Sequence, residues 1–267
     1  MTFARNRLLK PAATLAAFTL PVFLVGAHPF TPGITYKMRM VMSMPQMPGM
    51  SGDMIIVGHG IATNNHSRLD VDSGGGGPMA PFSAGDFLLT LDSGRVLLVN
   101  PATKTYVDGF TMGGGGLPPE IMAQASISGV VVNIEKLGAG DTIEGRPTQK
   151  YRMTSQYTVN IMGNSVSIGG EAEMLTAELP TKINSPFGGG MPKSMSTGPF
   201  AELYNKMLDA TKQVSGSVVR VNNVMSINGP MSMNMTQTMQ LTDVKAADID
   251  EKQLQVPDGY TARPPGS

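Results

Sequence analysis

The sequence contains no cysteine. This absence excludes disulfides, thiolate nucleophiles and thiolate metal ligands, and it leaves no residue to carry the lipid of a bacterial lipoprotein. With only three histidines in the chain, no nucleophile–base pair stands out. Neither a Gly-x-Ser-x-Gly elbow nor a phosphate-binding loop that ends in Gly-Lys-Ser/Thr is present. We therefore expect a protein that is not an enzyme and holds no cofactor.

Charge is also scarce. Charged residues make up 15% of the chain, and 20 basic side chains balance 20 acidic ones. No excess of basic residues is available to attract a phosphate backbone, so nucleic acid is excluded as a partner. The 32 glycines and 20 prolines are instead typical of many short strands joined by turns.

The first 27 residues have the features of a secretory signal sequence. Three basic residues precede an apolar stretch at 12–25, and small residues at 25–27 suit a signal peptidase. The apolar stretch contains a proline and is shorter than the roughly 20 residues that a membrane-spanning helix needs. We expect cleavage after Ala27, a soluble periplasmic or secreted product at 28–267, and no integral membrane segment after cleavage.

Alternating apolar and polar residues, interrupted by turn residues, predict an antiparallel sheet of about ten strands. The segments are 34–44, 54–62, 66–71, 87–91, 96–99, 104–107, 130–137, 148–161, 165–177, 214–227 and 231–244. Three glycine-rich stretches read as loop insertions within one domain, at 74–77, 113–116 and 188–190. A short helix is predicted at 118–125, because proline suits a first helical turn.

One further segment has a helical period. Apolar residues recur at helical spacing within 199–213, namely Phe200, Leu203, Tyr204, Met207 and Leu208. Ser196 or Thr197 is a suitable N-cap. The predicted fold class is therefore α+β, with a curved antiparallel sheet and one helix packed against its concave side.

Methionine occupies every second position in two of the predicted strands. The two sets are Met38, Met40, Met42 and Met44, and Met231, Met233 and Met235. Because side chains alternate between the faces of a strand, each set shares one face. One hypothesis is ordinary core packing. The other is a deformable apolar cavity, because methionine fills irregular gaps and is common at adaptable binding surfaces.

A copper site is the alternative for the first of these regions. Thioether sulfur is a soft ligand that selects Cu(I). Four methionines follow one another at short intervals across a proline- and glycine-rich loop: Met44, Met47, Met50 and Met54. Cleavage after Ala27 would also make His28 the N-terminal residue, where its amine and imidazole could chelate Cu(II).

Several segments together resemble the exported bacterial family called domain of unknown function 4412, and more distantly the periplasmic lipoprotein-carrier superfamily of the LolA and LolB kind. The segments are 66–71, 91–101 with 104–106, 145–151, 173–180 and 256–260. The resemblance implies a half-open antiparallel barrel with helices in its mouth and an apolar cavity, in which the carriers hold acyl chains.

The sequence therefore predicts a soluble periplasmic binding or carrier protein. Its partner would be an apolar small molecule or lipid, held by the seven alternating methionines. Two alternatives remain open, a copper-binding periplasmic protein and a structural envelope protein without a ligand.

Overall fold

The computed structural model describes residues 30–44, 53–75, 82–91, 95–108, 124–161, 163–183, 196–229 and 232–263. Several predictions lie outside these residues, including the signal sequence and most of the short helix at 118–125. The same holds for four of the candidate site residues: His28, Met47, Met50 and Met231.

The described residues form twelve strands. They are β1 Phe30–Ser43, β2 Asp53–Ala62, β3 Ser67–Ser73, β4 Phe87–Thr90, β5 Val96–Asn100, β6 Thr105–Asp108, β7 Ser126–Ala139, β8 Gln149–Ile161, β9 Asn164–Ala177, β10 Ser217–Asn228, β11 Met233–Asp250 and β12 Thr261–Arg263. All twelve belong to one sheet, in the order β12-β6-β5-β4-β3-β2-β1-β11-β10-β9-β8-β7.

The sheet is curved and unclosed, with β12 at one edge and β7 at the other. Every neighbouring pair is antiparallel except β12 and β6, which are parallel. The α+β class and the antiparallel sheet are confirmed, with twelve described strands where about ten were predicted. The unpredicted strand is β12, whose three residues pair with β6. Strand β11 also continues past its predicted end, beyond Asp243 at φ 54° and the bulge opposite β1.

The main core lies on the sheet face that carries Met38, Met40 and Met42, here called the inner face. Leu88 of β4 belongs to this core, whereas Phe87 and Leu89 on either side of it belong to a second cluster with Leu97 and Val99. Since side chains alternate along a strand, the second cluster lies on the outer face. It is covered by the C-terminal segment, which contributes Val256 and Tyr260.

The C-terminal segment also contacts the polar face of β3. Arg68 and Asp70 of β3 are both partly buried. The Arg68 guanidinium lies 3.9 Å from the ring centroid of Phe87 and donates to the Gln253 carbonyl oxygen at 3.4 Å. It also donates to Asp70 Oδ2 at 2.9 Å. Arg68 therefore connects β3 to the C-terminal segment.

The predicted helix is present as α1, Ala201–Thr211, preceded by a 3-10 turn, Gly198–Phe200. Leu203 is buried, and Met207 is half-buried. The predicted capping is wrong, since Phe200 occupies the N-cap without a side-chain hydrogen bond, and Thr197 makes no such bond before the 3-10 turn. Among the described residues, no helix combines the length and apolar character needed to cross a membrane.

Candidate ligand-binding cavity

The alternating methionines of β1 lie on the inner face. Met38, Met40, Met42 and Met44 are each at most 5% exposed, whereas Lys37 and Arg39 between them are exposed. In β11, Met233 and Met235 are half-buried, and Asn234 and Thr236 are exposed. The pleat of each strand therefore separates methionine from its polar neighbours, as a period of two requires.

Strand register extends this methionine surface across the sheet. Met40 of β1 is paired with Met239 of β11, and Met239 is paired with Val221 of β10. Val221 is in turn paired with Met174 of β9. Cross-strand partners lie on the same face with their Cβ atoms roughly 4.5–5.5 Å apart. The inner face thus carries one methionine-rich surface from β1 to β9.

A cavity of about 170 Å³ lies where this surface meets α1. Strands β8, β9 and β10 form most of its wall, Met207 of α1 contributes from the helix, and Gln237 contributes from β11. The apolar and glycine residues that line it are Met153, Tyr157, Ile168, Gly170, Ala172, Met174, Met207, Val218, Val221 and Met225. Its polar residues are Ser155, Asn223 and Gln237.

The cavity wall is electrically neutral. None of the described residues that line it is an aspartate, glutamate, lysine, arginine or histidine. Burial raises the pKa of the Tyr157 hydroxyl, so this group also stays uncharged near neutral pH. The groups that line the cavity are therefore thioethers, hydrocarbons, amides and hydroxyls, which suit a ligand without charge.

Among the described residues, none of the methionines predicted from the sequence lines this cavity. Met38, Met40 and Met42 belong to the main core. Met40 is nevertheless linked to the wall, because Gln237 Nε2 donates to Met40 Sδ at 3.4 Å. A direct contact between the predicted methionines and a ligand stays a prediction.

Sequence reasoning missed the four methionines that do line the cavity. Met225 shares the alternating pattern of β10 and β11, but Met153, Met174 and Met207 are single methionines in three separate elements. No local pattern joins them. They meet only because β8, β9 and β10 are adjacent in the sheet and α1 places Met207 beside the same cavity.

Two of the methionines in the copper hypothesis, Met44 and Met54, are among the residues that the structure describes. Met44 is buried, and Met54 is half-buried, packs against the main core and is paired with Met42 across β1 and β2. His59 Nδ1 lies 2.7 Å from Asp72 Oδ1. No group of three or more histidine, aspartate or glutamate side chains suitable for a metal occurs among the described residues.

Copper binding stays a prediction, which a peptide can test. A peptide spanning residues 38–54 is expected to compete with a Cu(I) chelator in an absorbance titration. The same peptide with leucine at Met44, Met47 and Met50 should lose that ability, because leucine keeps the apolar volume and removes the sulfur. Equal competition by both peptides would contradict the hypothesis.

Comparisons with known proteins give no family assignment. No family model matches the chain, so the resemblance to domain of unknown function 4412 is not confirmed, and no curated protein sequence matches it. Among solved structures, the chain is similar to a LolA superfamily protein from Nitrosomonas europaea. That alignment covers 84% of this chain and 90% of the other, at 7% identity and a TM-score of 0.32. At this TM-score the similarity does not define a function.

Proposed function

We propose that the protein is a passive carrier in the periplasm that binds a small apolar molecule, or the apolar end of a lipid, between α1 and strands β8 to β10. The observation that supports this proposal is the neutral cavity of about 170 Å³ with four methionines in its wall. Methionine is flexible and polarizable, so a wall rich in it can adapt to ligands of different shape.

The volume limits what the cavity can hold. An engineered apolar cavity of roughly 150 Å³ is known to remain dry and to bind benzene. The cavity here is of similar size, so a single ring or a chain of about six carbons fits it. Sites for drug-sized ligands usually enclose about 300–1,000 Å³. We therefore expect one end of a lipid, and not a whole acyl chain, to occupy this arrangement of α1 and the sheet.

The methionine sulfurs favour aromatic or unsaturated ligands in particular. Contacts between a thioether and an aromatic ring contribute roughly 0.3–1.5 kcal/mol each. Met153, Met174 and Met225 come from three neighbouring strands, and Met207 faces the same space from α1. A planar ring in this space would meet sulfur-bearing side chains from both the sheet and the helix.

Two adjacent glycines provide a matched test. Gly170 lines the cavity, and a Cβ there would lie 2.8 Å from Ser155 Oγ, whereas a Cβ on Gly169 would lie 3.2 Å from Ser226 Oγ. In the Gly170→Val variant, three added carbons would occupy cavity space, and we expect benzene to bind at least about tenfold more weakly, a loss of roughly 1.4 kcal/mol. Gly169→Val should bind benzene like the wild type.

The measurement is a benzene titration followed by NMR of ¹³C-labelled methionine methyl groups, with signals assigned through single Met→Leu variants. Saturable shifts should be largest for Met153, Met174, Met207 and Met225. Loss of binding in both glycine variants, or in neither, would contradict a site at this cavity. Shifts confined to the methionines of β1 would move the site to the surface predicted from the sequence.

A further inference from the structure

We propose that the ligand bound in this cavity carries an uncharged hydrogen-bonding group, such as a hydroxyl or a primary amide, next to its apolar part, and that Asn223 and Gln237 bind this group. This inference rests on the proposed function of the cavity and specifies the chemical class of the ligand. It comes from the two side-chain amides that lie among the mainly apolar residues of the cavity wall.

Asn223 and Gln237 are direct partners across β10 and β11. The pairs before and after them on the same face are apolar, Val221 with Met239 and Met225 with Met235. The two amides therefore form one polar pair inside the methionine surface. Both line the cavity and both are half-buried, so the pair faces the space that a ligand would occupy.

The hydrogen-bonding capacity of this pair is largely unused within the protein. Gln237 Nε2 donates only to Met40 Sδ, at 3.4 Å, and a thioether is a weak acceptor. The side chains of Asn223 and Ser155 make no hydrogen bond to another residue in the described part of the chain. Each amide offers two N–H donors and a carbonyl acceptor.

Unused amides beside an apolar cavity have an energetic consequence. Both amides are half-buried, so water can solvate them while the cavity is empty, whereas a ligand that covers them without a hydrogen bond would cost roughly 1–3 kcal/mol. A ligand hydroxyl or amide can replace such water, because it can donate and accept at the same time. A purely apolar ligand of the same size would displace the water without replacing its hydrogen bonds.

The neutral cavity wall argues against a ligand with an ionised head group. The described residues of the wall supply no cation for a carboxylate and no anion for an ammonium group. An ion that enters such a site loses its hydration without gaining a counter-charge, which is strongly unfavourable. The cavity should therefore discriminate against fatty acids at neutral pH and in favour of the corresponding alcohols and amides.

The test compares ligands that have the same chain length and differ only in the head group: 1-hexanol, hexanamide, hexanoate and hexylammonium. Binding to the full protein at pH 7 is measured by the same methionine-methyl NMR titration, with benzene as the reference for the apolar cavity. In the wild type, 1-hexanol and hexanamide should bind at least about tenfold more tightly than either ion.

Substitutions test whether Asn223 and Gln237 cause this preference for an uncharged head group. Asn223→Leu and Gln237→Leu should each lower the affinity for 1-hexanol relative to that for benzene roughly five- to tenfold, the size expected for one lost hydrogen bond. Asn222→Leu is the matched control, since Asn222 is the adjacent, exposed asparagine on the outer face. It should change neither affinity.

The outcomes separate this inference from the proposed function. If benzene binds at the cavity and hexanoate binds as well as 1-hexanol, the head-group preference is wrong and the apolar site stands. The same conclusion follows if the two leucine variants weaken benzene and 1-hexanol equally. If neither benzene nor 1-hexanol binds, the proposed function itself is wrong. The wild-type ligand series decides the preference even if a leucine variant does not fold.

Discussion

The Met40→Asp variant is expected to be unfolded at neutral pH. Met40 is 0% exposed and lies between Met239 of β11 and Ile56 of β2, its cross-strand partners on the inner face. Neither partner can pair with a carboxylate, and Gln237, which donates to the Met40 sulfur, carries no charge. Burial of a charge without a counter-charge ranks among the few changes that cost more than about 4 kcal/mol. That loss is a large part of the roughly 5–15 kcal/mol by which a domain is stable.

Urea unfolding followed by circular dichroism measures this effect. Met40→Leu is the control, because it conserves volume and should cost less than about 1.5 kcal/mol. A cooperative transition of Met40→Asp near the wild-type urea concentration would contradict the position of Met40 in the core. Since the aspartate variant loses binding by unfolding, Met233→Asp is the better test of a methionine as a ligand contact. Met233 is half-buried, so we expect Met233→Asp to cost less stability than Met40→Asp.

The Gly60→Val variant should lose roughly 1–3 kcal/mol of unfolding free energy, and more if the sheet cannot adjust. Gly60 of β2 is paired with Tyr36 of β1, and the Tyr36 ring lies over the glycine. A Cβ on Gly60 would overlap the hydroxyl end of that ring and would lie 2.7 Å from Tyr36 Cε2. Tyr36 is only 3% exposed and belongs to the main core, so the ring has little free space into which it can move.

Chemical unfolding of Gly60→Val and Gly169→Val shows whether the loss of stability comes from contact with Tyr36. Both variants place a β-branched residue in a strand, but the Cβ at Gly169 would meet only Ser226 Oγ, at 3.2 Å. Gly169→Val should therefore unfold close to the wild-type denaturant concentration. Equal losses in the two variants would show that the effect comes from the loss of glycine in a strand, and not from contact with Tyr36.

Strand positions and side-chain faces could be predicted from the sequence, because they depend only on the local backbone conformation. Met38, Met40 and Met42 were predicted to share a face, and all three are buried together. The predicted strand at 87–91 corresponds to β4, Phe87–Thr90, and the predicted helix at 199–213 contains α1, Ala201–Thr211. Periods of two and of 3.6 residues require only that the chain be extended or helical.

The candidate site could not be predicted from the sequence in the same way. The cavity combines Met153, Met174 and Met225 from three strands with Met207 from a helix. Their contact depends on which strands are neighbours and on their register, and single methionines in separate segments carry no signal of either. The cover over Phe87 is a similar case, because it depends on a C-terminal segment that returns to the outer face of β4 and β5.

The sequence by itself determined the α+β class and the alternation that buries the β1 methionines. These follow from residue type and short periods along the chain. Only the tertiary structure decided that the cavity lies beside β8 to β10, and that Asn223 and Gln237 meet as a polar pair inside it. Cross-strand partners are chosen by long-range register, since a slip of one residue would turn every side chain to the other face.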